Sequence, residues 1–210
     1  MTHGARTAWR AVWLFLLVPP VVVHCLGTQT PALAQKAKAK AGSTKKGQAE
    51  TGAPLKIQYG TDKLPAPVQE MREAILSAVR SGRIEELRHA YELNELKPDL
   101  GVAPVSDPIA HWKKVSGDGE GREILAALAE ILETGYVVLP LGRDLENNKV
   151  YVWPYLAEVP LDKLSPAQEV ELLRLVAPAA AKEMKATRKY GYWRLAIGAD
   201  GTWHSLRKEP

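Results

Sequence analysis

His111 and Asp107 lie four residues apart, a spacing that puts two side chains on one face of a helix. A carboxylate that orients an imidazole is a general acid–base arrangement, so this pair is the candidate for catalysis. Ser106-Asp107-Pro108 is equally a helix start, with a capping side chain followed by proline. A capping carboxylate needs no catalytic role. The other histidines beyond residue 34 are His89, between Arg88 and Ala90, and His204, beside Trp203. His89 reads as a surface residue and His204 as part of a strand. There is no His-x-x-x-His, no His-Glu-x-x-His and no cysteine pair, so no metal site is expected. The run Gly117–Gly121 lacks the Gly-Lys-Ser/Thr ending of a phosphate loop, and Asp118 and Glu120 would repel phosphate. It also fails calcium-loop spacing, and no Gly-x-Ser-x-Gly elbow occurs. No cofactor is expected.

The second candidate is aromatic. Tyr151, Trp153 and Tyr155 alternate, which in a strand projects them onto one face. Tyr190, Tyr192, Trp193 and Trp203 follow near the C-terminus. Rings with polar edges suit sugars, peptides and small apolar ligands. Arg143 and Asp144 in the preceding turn, and Glu158 beyond the strand, would add polar contacts. The competing reading is core filling. The one phenylalanine, Phe15, lies in the N-terminal stretch, which leaves Tyr and Trp to fill the interior.

These residues need elements to hold them, and the elements begin after residue 54. Arg6 and Arg10 precede an apolar run from Ala11 to Leu26, and Ala32-Leu33-Ala34 fits a small-x-small cleavage site. Residues 1–34 therefore read as a signal peptide cut before Gln35, and the protein as exported, periplasmic or extracellular. A membrane anchor needs about 20 apolar residues. This run is shorter and is broken by Pro19, Pro20 and His24. Cys25, preceded by Val23 and His24, is a poor lipoprotein site, and it is the chain's one cysteine. With the signal removed, no thiol and no disulfide remain.

Residues 35–54 hold five lysines, one glutamate and small polar residues, with no apolar period. This reads as a flexible linker. It is either a soluble spacer or a weak contact for anionic envelope polymers or lipid head groups. The signal carries two arginines and no acid, so of the whole-chain charge of +4 the stretch from Leu55 to Pro210 retains −2. A nucleic-acid module should carry its basic patch on the folded part, so nucleic acid is not expected as a partner.

Residues 55–210 read as a single α+β domain. The spacing of Val68, Met71, Ile75 and Val79 predicts a helix to Arg80, and Ile84, Leu87, Ala90 and Tyr91 predict a second over 83–93. The short Ser81-Gly82 link makes them a helical hairpin. Residues 94–105 read as loop. Helices follow from Pro108 to Val115 and from Arg122 to Glu133. Tyr136–Leu141 and Lys149–Leu156 read as a β-hairpin, with Pro154 placing the second strand at a sheet edge or ending it. Ser165 and Gln168 form a capping box, Pro178 starts a further helix to Lys189, and a hairpin turning at Asp200-Gly201 closes the chain. The expected architecture is a helical hairpin and further helices packed on one face of a small antiparallel sheet of two hairpins.

Ala78-Val79-Arg80-Ser81-Gly82 in the opening helix pair, and Asp200-Gly201-Thr202-Trp203 in the closing hairpin, resemble the nuclear-transport-factor-2-like superfamily. The resemblance implies a concave sheet around a pocket, in an enzyme or a binding module. The hairpin 136–156 and the helices after it depart from that family's strand-rich second half. Three functions follow as expectations. The preferred one is a non-enzymatic exported binding or envelope-accessory protein that uses the aromatic face for a small ligand or an envelope protein. The others are a small-molecule enzyme using His111 and Asp107 in such a pocket, and a structural protein-interaction module.

Overall fold

The computed structural model describes residues 55–141 and 148–209. The signal and linker expectations, Cys25 and Arg143 lie outside them. Helix α1 spans Ala66–Ser81 and buries Val68, Met71, Ile75 and Ala78. It carries proline in its first turn and stops at Gly82, whose φ of 67° lets its N–H reach Val79 O. The second helix of the hairpin opens as a tight 3-10 turn at Ile84–Glu86 before α2, Leu87–Glu92. Helices α3 (Pro108–Val115) and α4 (Arg122–Glu133) follow.

The loop before α4 is a helix cap. The Asp118 carboxylate accepts from the backbone N–H groups of Glu120, Gly121 and Arg122 at 3.2, 3.0 and 3.1 Å. Gly121 takes φ 82°, and a Cβ there would come within 2.6 Å of Ile84. Only glycine fits that position without displacing Ile84.

Strands β1 (Val137–Pro140), β2 (Lys149–Trp153), β3 (Trp193–Gly198) and β4 (Trp203–Lys208) form one antiparallel sheet in the order β1-β2-β3-β4. Helices α5 (Pro166–Leu175) and α6 (Pro178–Thr187) separate its two hairpins. The capping box of Ser165 and Gln168 is formed at the start of α5. The architecture is α+β, with six α-helices among the described residues packed against a small sheet of two hairpins.

Three local expectations are corrected. Strand β2 stops at Trp153 rather than Leu156: Pro154, with no N–H to continue the ladder, ends it, as one of its two expected roles had it, and residues 155–157 form a 3-10 turn. It is not an edge strand: it pairs with β1 on one side and β3 on the other. The stretch 94–105 is not wholly loop, since Asp99 bridges Ser205 and covers the outer edge of β4. Gln58 makes an antiparallel bridge to Tyr136, the residue before β1.

Val150, Tyr151, Val152 and Trp153 are all buried, so both faces of β2 are covered. The Trp112 and Trp203 rings stack 5.9 Å apart, and Tyr91 meets Trp112 edge-on at 6.1 Å. Tyr136 packs against Tyr151 and Trp153 at 5.9 and 5.0 Å.

Candidate functional site

The structure separates the catalytic candidates. Asp107 Oδ1 caps α3 by accepting from Ile109 N at 3.1 Å, and it accepts from Arg88 Nη2 at 3.0 Å. The Arg88 guanidinium, and then the backbone N–H groups of Ala110 and Ile109, hold the Asp107 carboxyl below the usual carboxylate range. The link from Asp107 to His111 is the main-chain helix bond, His111 N to Asp107 O at 3.1 Å. The expected acid–base pair is therefore not assembled: the carboxylate is spent on a cap and an arginine. Among the described residues, no three His, Cys, Asp or Glu side chains converge as metal ligands would.

The aromatic candidates are interior. Tyr151, Trp153 and Tyr155 are 7, 1 and 0 % exposed. Tyr155 lies beyond the end of the strand, in the 3-10 turn, so the three do not form one alternating face. Burial pushes the Tyr155 hydroxyl well above the usual phenol range, with the Glu171 carboxylate adding to the effect. The ring also meets Tyr59 edge-on at 6.2 Å, and Tyr59 donates to Glu171 Oε1 at 2.9 Å. These rings fill the core and present no open ligand surface.

Glu158 is half-buried, held by Arg194: its Oε1 accepts from Nε and Nη2 at 2.9 and 2.8 Å. The pair lines a cleft of about 520 Å³ with Tyr190, Arg207 and Glu209. Arg207 is itself held by Glu209 and Asp99 at 2.9 and 3.0 Å. Each arginine there already has a carboxylate, and Lys189, which also lines the cleft, is in no ion pair among the described residues.

A different groove is open. It measures about 530 Å³ and runs between the first turns of α1, the segment Leu93–Leu96 and the β3–β4 turn. Pro67 and Met71 line one wall, Leu93 and Leu96 another, and Asp200, Gly201 and Thr202 the third. Leu93 is 58 % and Leu96 80 % exposed, whereas Asn94 between them is buried at 6 %. The usual polarity of a surface segment is reversed here, and hydrogen bonding explains it. Asn94 Nδ2 donates to Ala90 O at 3.2 Å and its Oδ1 accepts from Trp203 N at 2.8 Å. The amide satisfies β4 from inside, and the flanking leucines are left facing water.

The third wall is pressed close. Gly201 has φ 86°, and a Cβ there would lie 2.9 Å from Pro67 O. Asp200 accepts from Thr202 N and Oγ1 at 3.0 and 2.9 Å, which fixes its carboxylate at the rim and lowers its pKa, the backbone N–H being the larger cause. No family model, curated protein or solved structure matches the chain. The resemblance of the chain ends to the nuclear-transport-factor-2-like superfamily thus finds no support beyond the two stretches that carry it.

Sequence reasoning missed this groove because Leu93 closes the predicted helix over 83–93 and Leu96 falls in the stretch read as loop. The available signal was the pattern Leu93-Asn94-Glu95-Leu96, two leucines in a polar stretch at the helix end.

Proposed function

We propose that the chain is an exported binding or envelope-accessory protein that performs no chemistry of its own, and that it meets its partner through the groove between α1, Leu93–Leu96 and the β3–β4 turn. The observation that carries this reading is the pair of leucines left in water around a buried asparagine. Two large apolar side chains beside a concavity of this size have the composition of a contact surface. The groove replaces the aromatic face as the contact region, since those rings are inside. Export rests on the residue pattern of 1–34, and the −2 charge from Leu55 onward speaks against nucleic acid.

The test is site-specific photo-crosslinking in cells. A photoreactive residue at position 96 is expected to give a discrete adduct in the envelope fraction. The same residue at position 173, also exposed but on α5, should give none. Equal labelling from both positions, or an adduct from position 173 alone, contradicts the reading. N-terminal sequencing of the same material should begin at Gln35, and an N-terminus at residue 1 or 2 would contradict export by a cleaved signal.

A further inference from the structure

Resting on that reading of the groove as the contact surface, the geometry points to its occupant: we infer a cationic amphipathic peptide segment of a partner protein, with lysine or arginine flanking apolar side chains. Three carboxylates line the groove, Glu70, Glu95 and Asp200, and no basic side chain does. Most acids elsewhere on the described surface have a cation: Glu73 has Arg80, Glu85 has Lys113 and Asp107 has Arg88. Among the described residues Glu70 and Glu95 have none, whereas the His204 imidazole stands near Asp200 and helps to hold its carboxyl down.

Lys97, bonded to the groove segment itself, is engaged elsewhere. Lys97 Nζ donates to Asn94 O at 2.8 Å and sits 5.4 Å over the Tyr91 ring, so its charge is directed to the loop backbone and an aromatic face. The apolar wall of Pro67, Met71, Leu93 and Leu96 therefore has an acidic rim in which Glu70 and Glu95 are held in no ion pair among the described residues. An apolar groove with a single-sign rim selects a ligand of the opposite sign, because like charges at the rim are repelled before contact. The same rim repels an anionic lipid surface. A peptide supplies both features: side chains to cover the leucines and ammonium or guanidinium groups to meet the carboxylates.

The experiment uses the processed protein beginning at Gln35 and three short probe peptides, measured by calorimetric titration at low and high salt. One probe is an amphipathic leucine/lysine peptide, one its leucine/glutamate twin, and one a serine/lysine peptide without apolar residues. The leucine/lysine peptide should bind, with affinity falling as salt rises. The other two should bind at least about tenfold more weakly. Glu70 and Glu95 accept no hydrogen bond among the described residues, so E70Q/E95Q should fold normally and weaken the leucine/lysine peptide by about tenfold. Glu183→Gln, a charge removed from α6, should leave binding unchanged. The proposal is overturned if the leucine/glutamate or serine/lysine peptide binds equally well, if E70Q/E95Q binds as tightly as the parent, or if no peptide binds. An adduct from position 96 alongside such a result would leave the groove as the contact surface and remove only the cationic partner.

Discussion

The indole of Trp203 in β4 lies on that of Trp112 in α3, with planes 14° from parallel and centroids 5.9 Å apart. Both rings are fully buried, so this stack is where the helical layer grips the last strand. Trp112→Ala should cost about 3–5 kcal/mol, the range for deleting a large buried aromatic. Urea unfolding at constant m-value checks it; a loss under about 1 kcal/mol would show that the contact is not core.

Asn94 ties the groove wall to the same strand through its bond to Trp203 N. Asn94→Ala leaves a buried N–H without a partner and should cost about 1–3 kcal/mol. The accompanying sign is local: the Trp203 amide should exchange faster with solvent than in the parent protein, by more than amides in β2. Uniform acceleration across the sheet would mean that Asn94 has no special role there.

Gly121→Ala combines a left-handed φ of 82° with a Cβ 2.6 Å from Ile84. It should destabilise by about 1–3 kcal/mol. Gly119→Ala has a comparable φ of 68° but open space around it, and should cost less. Thermal unfolding of the two variants separates crowding from backbone strain, and equal losses would refute the crowding argument.

Acid stability follows from three aspartates. Asp107 is lowered by Arg88, Asp118 by Ser116 and the α4 backbone, and Asp200 by the Thr202 N–H, each below an ordinary value of 3.8. A carboxyl with a lower pKa folded than unfolded stabilises above the unfolded value. That contribution shrinks as pH falls below 3.8 and is gone once pH is below the folded value. The melting temperature should therefore fall on acidification below about pH 4. In Asp118→Asn the fall should be shallower, from a lower starting point. An unchanged slope would show that Asp118 carries no share of it.

Much of the architecture was legible because its signals are local. The stripe of Val68, Met71 and Ile75, the capping box of Ser165 and Gln168, and the Asp200-Gly201 turn each specify an element from a few neighbouring residues. What was not legible depends on distant partners. Tyr151 and Trp153 alternate in a strand as expected, but only β1 and β3 on either side, with both faces covered, make them core. Asp107 sits at helical spacing from His111, yet Arg88, nineteen positions earlier, takes its carboxylate. Asn94 is a loop residue by type, and its role comes from Trp203 N, 109 positions away.

The most direct test of the groove is amide hydrogen exchange of the protein from Gln35 onward with and without the leucine/lysine peptide. Protection should appear over the first turns of α1, over Leu93–Leu96 and over the β3–β4 turn, with none over α5 around Val170 and Leu173. Protection on α5 instead, or no protection at Leu93–Leu96, would contradict the assignment of the groove as the contact surface.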